Sequence, residues 1–234
     1  MNVRLVPIGP ADRSVGARLA HDIVTQRNAG ESVGDQRRRY VGTAGQSFGA
    51  FLTGGLRLEL DGDANDYVGK SMEGGTIVVR GPGAPGEPAN GTACFYGARG
   101  GFGYISGAAG ERLAVRNSGG SIVVEGAGDH ACEYMTAGTV AIAGSLGRNI
   151  ASDMTGGELF VISECAARAL GSHRPALPRD RRRRTRGECS PRALGTSPSC
   201  DGLGTRRRAP GRLGNNACHR PLLRADAQRD DACA

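Results

Sequence analysis

Tryptophan is absent and aromatic residues make up only 4% of the chain, so its interior must be thin and built from Val, Ile, Leu, Ala and Met. No apolar run is long enough to cross a bilayer or to serve as the h-region of a secretory signal, which leaves a cytoplasmic protein as the expectation. Cysteine is scarce where the sequence is patterned. Of seven cysteines only Cys94 and Cys132 precede residue 165, and neither belongs to a CxxC pair. That spacing excludes a zinc ribbon and a disulfide framework and points to a reducing compartment.

The formal charge of +7 belongs to one end of the chain. Residues 1–164 carry 14 Lys+Arg against 17 Asp+Glu, whereas residues 165–234 carry 16 against 6. The patterned part is therefore slightly acidic and offers no nucleic-acid surface. The tail contains RDRRRR from Arg179 and RRR from Arg206, with no lysine and no strand or helix period. Three readings of it stand side by side: out-of-frame translation of a GC-rich gene, favoured by the Arg, Pro, Ala and Gly bias; a disordered extension; and an arginine-rich arm that neutralises phosphates.

What the chain has in abundance is a repeated phrase. Paired small residues at Gly54-Gly55, Gly74-Gly75, Gly119-Gly120, Ala137-Gly138 and Gly156-Gly157 each open a short β-type run. The runs are LRLEL from Leu56, TIVVR from Thr76, SIVVE from Ser121, TVAIA from Thr139 and ELFVI from Glu158. Successive openers lie 20, 45, 18 and 19 residues apart, so the unit is about 19 residues with one double interval. Such a unit is too short for a helix pair, a propeller blade or a βαβ crossover, each of roughly 30 residues or more. It suits one rung of a parallel β-solenoid, in which like residues stack and glycine turns the corners. Residues 42–164 hold 28 of the 39 glycines, as sharp corners on every rung demand.

The expected fold is all-β: a single-stranded parallel β-helix of about seven rungs. Within the double interval, strands are expected near Ala93–Tyr96 and Leu113–Arg116, with a looped excursion through GPGAPGEPAN. Met72, Met135 and Met154 recur two residues before an opener, with Asn117 in the same slot, which reads as core packing rather than redox chemistry. Division of the chain follows: a lead-in or cap over 1–40, the β-helix over 41–164, and the basic tail over 165–234. The lead-in covers one end of the stack. The other end is left exposed, so the isolated chain is expected to be marginally soluble or dependent on a partner.

Several strings imitate functional motifs. GQSFG at Gly45–Gly49 fits a nucleophile elbow at Ser47, but a strand follows within a few residues and leaves no room for the required helix. GPGAPG at Gly81–Gly86 matches a dinucleotide fingerprint and is likewise followed by prolines instead of a helix. Asp129, His130, Cys132 and Glu133 form a string of potential metal ligands, and Asp63, Asn65 and Asp66 invite a calcium reading. Both strings fall at rung corners, where Asx residues and inter-rung hydrogen bonds are the simpler account. No catalytic, cofactor-binding or metal-ligating residue is assigned. A serine hydrolase using Ser47 and a nucleic-acid binder using the arginine tail stay open as remote alternatives.

The strings GTAGQSFGAFL from Gly42, LELDGDANDYVGKSMEGGTIVVR from Leu58, GERLAVRNSGGSIVVEGAGDHACEYMTAGTVAIAG from Gly110 and GRNIASDMTGGELFVISE from Gly147 resemble the C-terminal domain of the glutamate synthase large subunit. DRSVGARLAHDIV from Asp12 resembles the segment that leads into it. The resemblance spans roughly residues 8–164 and implies a right-handed β-helix that is the non-catalytic part of its enzyme. It also implies partners: a glutamine amidotransferase and an FMN-binding synthase, as domains or subunits, with FMN and iron–sulfur clusters held there. The enzyme so implied converts glutamine and 2-oxoglutarate into two glutamates. The family's continuation is lost after Glu164 and the chain starts shortly before the lead-in, which leans toward a piece of a split large-subunit gene. Stand-alone relatives in archaeal-type and N-methylglutamate synthase-like complexes are the alternative.

Overall fold

The computed structural model describes residues 4–81, 90–162 and 223–226. Most of the excursion after Arg80 and of the basic tail lies outside the described residues. The elements are β1 (Leu5–Ile8), α1 (Ala17–Asn28), β2 (Gln36–Gly42), β3 (Leu56–Asp61), β4 (Glu73–Arg80), β5 (Gly100–Ala109), β6 (Ser118–Ala127), β7 (Ala137–Ile142), β8 (Glu158–Val161) and β9 (Leu223–Asp226). All nine strands make one sheet in chain order. Each pairs with the next in parallel from β1 to β8, and β9 lies antiparallel to β8.

Parallel neighbours linked by short corners, without crossover helices after β2, define a β-solenoid of about six turns, where the repeat spacing anticipates about seven rungs. Five strands coincide with the five apolar runs. The double interval resolves into two rungs: Thr76 pairs with Phe102 and Phe102 with Ser121, so a long turn carrying the excursion precedes one of ordinary length. The strands expected near Ala93–Tyr96 and Leu113–Arg116 are not strands. Both segments are corners, and the strand between them is β5, whose GGFGYISGAA is broken by glycines and escapes an apolar pattern.

The corners explain that error. Residues at the first, third and fifth positions of each corner have left-handed backbone: Arg112, Ala114 and Arg116 at φ 60°, 55° and 56°, and His130, Cys132 and Tyr134 at φ 64°, 60° and 53°. Most of these are not glycine, and each such residue costs about 1–2 kcal/mol of backbone strain. A hydrogen-bond ladder offsets it. Arg112 and Arg116 donate their N–H groups forward to the carbonyls of Asp129 and Glu133, and Ala114 donates backward to Cys94, all at 2.8 Å. The same alternation recurs in the next corner, where His130 and Tyr134 bond forward to Arg148 and Ser152 and Cys132 bonds back to Leu113.

Side chains stack in the same register. Leu58, Ile77, Gly103, Ile122, Val140 and Leu159 form one inward row, and Leu60, Val79, Ile105, Val124, Ile142 and Val161 the next. Facing them from the corners are Phe48, Val68, Cys94, Leu113, Ala131 and Ile150. Gly103 interrupts the first row for a reason: a Cβ there would lie 2.3 Å from Phe95 Cζ, and one at Gly69 would lie 2.5 Å from Phe95 Cδ1. The buried Phe95 ring occupies the volume that both glycines vacate. Met72 and Met135 are fully buried in the slot before the openers, alongside Leu52 and Ala98. Asn117, buried in that slot, is satisfied locally by the Gly120 backbone: its Oδ1 accepts from Gly120 N–H at 2.8 Å and its Nδ2 donates to Gly120 O at 3.0 Å.

The lead-in closes the first corner. Ser14 donates to Gln46 O at 2.8 Å, Gly45 to Asp12 O at 3.2 Å and Gly49 to Val15 O at 2.8 Å, while α1 buries Ala20 and Ile23 against the core. The polar sequence ARLAHDIVTQRN, with two buried residues, carries too weak a helical stripe to be recognised in advance. A Phe95→Ala variant, which empties the space shared with Gly69 and Gly103, is expected to lose about 3–5 kcal/mol of unfolding free energy. Gly103→Val, which drives a side chain into the ring, is expected to destabilise further. Urea denaturation followed by circular dichroism measures both.

Candidate interaction surface

Because strand side chains alternate, the residues between the inward rows form a second, outward face. One row reads Arg39, Glu59, Val78, Tyr104, Val123, Ala141 and Phe160 from β2 to β8. Beside it runs Arg37, Arg57, Thr76, Phe102, Ser121, Thr139 and Glu158. The ionic cluster lies over β2–β4; beyond it the first row is apolar, while the second passes from Phe102 to Ser121, Thr139 and Glu158.

Glu59 organises the ionic end. Its side chain is 1% exposed, and its carboxylate meets Arg57 Nε at 2.6 Å, Arg37 at 2.8 Å and Arg80 at 3.2 Å. Asp61 adds bonds to Arg39 at 2.9 Å and Arg80 at 3.0 Å, so the two carboxylates lace together guanidiniums from three successive strands. Burial pushes the Glu59 carboxyl upward, but the hydrogen bonds from Arg37, Arg57 and Arg80 outweigh it and hold it at about 2. The apolar end is open: Phe102, Tyr104 and Val123 are 51%, 41% and 45% exposed.

The motif-like strings are dispersed by the fold. Ser47 is the first left-handed residue of the first corner, with φ 69°, and donates its N–H to Asp66 O at 2.8 Å. β3 follows that corner without an intervening helix, and among the described residues no histidine bonds the Ser47 hydroxyl. Gly81 follows β4 and donates its N–H to Ser106 O at 3.3 Å, while the rest of GPGAPG lies outside the described residues. Asp129 accepts from Arg148 N–H at 2.6 Å, His130 Nδ1 meets Glu133 at 2.5 Å, and Cys132 points into the core, its thiol pushed up to about 12 by burial. Cys94 is buried likewise, its thiol also pushed up to about 12. Asp66 accepts from Thr92 N–H at 2.7 Å, Asp63 from the Thr43 hydroxyl at 2.8 Å, and Asn65 Nδ2 donates to Ala44 O at 3.1 Å. All but the His130–Glu133 contact, which lies within one corner, are bonds between rungs. Among the described residues no three His, Cys, Asp or Glu side chains converge as a metal site.

Two open depressions flank the solenoid. One, of about 280 Å³, is lined by Gln36, Arg37, Leu56, Arg57 and Thr76. The other, of about 370 Å³, lies between α1 and the corners and is lined by Ala20, His21, Val24, Phe51, Ser71 and Glu73. Among the described residues no helix is long and apolar enough to cross a membrane. The outward face was missed in sequence because its signal, alternate positions in register across strands, requires the strand alignment to be known first.

A stacked parallel solenoid whose polar side chains bond between rungs belongs to the structural class of repeat proteins. The family model described as the GXGXG motif matches residues 3–170, and the chain belongs to that family. It is 51% identical over 164 residues to the ferredoxin-dependent glutamate synthase of Cyanidium caldarium, covering 68% of this chain and 11% of that protein. It is 50% identical over 157 residues to the NADH glutamate synthase of Schizosaccharomyces pombe, covering 64% and 7%. Against the NADPH glutamate synthase large chain of Bacillus subtilis it is 52% identical over 130 residues, covering 53% and 9%. The chain thus spans about a tenth of the curated relatives it matches.

The Glu59 network yields a test with a definite sign. The folded-state carboxyl lies below its ordinary value of 4.5, so its contribution is complete above pH 4.5 and is lost as pH falls through about 2. Glu59→Gln is expected to cost about 3 kcal/mol at neutral pH, the lower end for breaking a buried pair because the arginines are partly exposed. In urea titrations across pH, the gap between wild type and Glu59→Gln should shrink between pH 4.5 and 2.

Proposed function

We propose that this chain is the non-catalytic structural body of a glutamate synthase, a stiff spacer against which the amidotransferase and FMN-binding parts are held. The observation that carries the reading is the corner ladder: left-handed residues bond forward and backward in turn, so that neighbouring rungs move together. Family membership and the match to one segment of glutamate synthases agree with it. On this reading, glutamine hydrolysis and reductive amination of 2-oxoglutarate take place in the partner parts, which hold FMN and the iron–sulfur clusters.

Trans-complementation tests this. The Bacillus subtilis large chain, produced without the region that matches this chain, is expected to regain glutamate formation from glutamine and 2-oxoglutarate when this chain is co-expressed. Activity that is equally high or equally absent with and without the added chain would overturn the reading.

A further inference from the structure

Side chains alternate along a strand, so a solenoid sheet turns one face inward and presents the other to its surroundings. Here the inner face is covered by the corners, while the outer face leaves Phe102, Tyr104 and Val123 exposed on adjoining strands. At about 4.8 Å per strand the row from Val78 through Tyr104, Val123 and Ala141 to Phe160 runs roughly 19 Å, half-buried at its ends and open at Tyr104 and Val123, with Phe102 beside them. A contiguous patch of this kind marks a contact surface.

The charge beside it narrows the partner. On β2–β4 the cluster sets four arginines against Glu59 and Asp61, an excess of two positive charges. Glu59 anchors the guanidiniums from beneath, yet Arg37, Arg57 and Arg80 stay 49%, 44% and 45% exposed. Each guanidinium has five N–H groups, more than the bonds it makes here, so donors remain for further carboxylates. Arginine and aromatic residues side by side on a held surface are the usual make-up of binding hot spots.

We infer that this outward face, from the Arg37–Arg57 cluster to Val123, is the docking site for a segment of the remaining glutamate synthase polypeptide that is apolar at its centre and carries carboxylates opposite the arginines. This rests on the proposed function, since the nine-tenths of the relatives' length that this chain lacks is the source of the segment. Tyr134, 50% exposed beneath Arg116 on a corner, lies off the face and provides a control.

The experiment mixes the purified full chain with the Bacillus subtilis large chain lacking its matching region and measures binding by sedimentation velocity. Wild type and Tyr134→Lys are expected to bind alike. Val123→Lys, and the double variant Tyr104→Lys/Val123→Lys, should each bind at least tenfold more weakly while keeping the wild-type circular dichroism spectrum, and added salt should weaken wild-type binding. Undiminished binding by a folded Val123→Lys, or an equal loss in Tyr134→Lys, overturns the docking site and leaves the structural role standing. Absence of wild-type binding overturns the structural role itself. Self-association of the chain alone that Val123→Lys abolishes assigns the face to a second copy and overturns the docking segment.

Discussion

Everything in this protein hangs on backbone hydrogen bonds that run along the solenoid axis. In the strands they are ordinary parallel-sheet bonds. In the corners they hold residues such as Phe95, Arg112 and Tyr134 in left-handed conformations that these side chains avoid elsewhere. A single strained corner would relax to something else. Stacked corners cannot, because relaxing one orphans amides and carbonyls on both neighbours, each at about 1–3 kcal/mol. Local strain is thus tolerated through cooperation between rungs, and the stiffness proposed for the domain has the same origin.

The side chains follow the backbone's lead. Once register is fixed, like positions stack, and exceptions come in compensating sets: Phe95 with Gly69 and Gly103, or Asn117, bonded to the Gly120 backbone, among Leu52, Met72 and Met135. Charge obeys the same rule. Glu59 tolerates burial because Arg37, Arg57 and Arg80 converge on it from three strands.

The repeat made the architecture legible, since five apolar runs behind paired small residues already give strand, corner and period. β1, β2 and β9 fell in segments read as lead-in and tail, and three further features stayed hidden for separable reasons. β5 is cut by glycines that serve Phe95, α1 is polar on most sides, and the corners at Ala93 and Leu113 carry apolar residues that mimic strands although their backbone is left-handed at alternate positions. None of these reveals itself to a reading of hydropathy. The polar strings at Asp63–Asp66 and Asp129–Glu133 were legible as corner chemistry, because Asx residues suit turns whatever else they do. The outward face was not, because Glu59 and Tyr104 are 45 positions apart in sequence and join one row, on either side of Val78, only through register.

A ladder that demands matching corners on adjacent turns also fixes how such a domain can change in evolution. A residue added inside a corner would put every following left-handed position out of phase, whereas an excursion such as that after Arg80 leaves phase intact. Whatever the length of its excursions, the stack can therefore grow along its axis only in whole turns, each advancing it by roughly 4.8 Å. On the proposed spacer role, that makes the solenoid a ruler with coarse, fixed divisions: the separation it sets is quantised, and fine adjustment would fall to the parts around it.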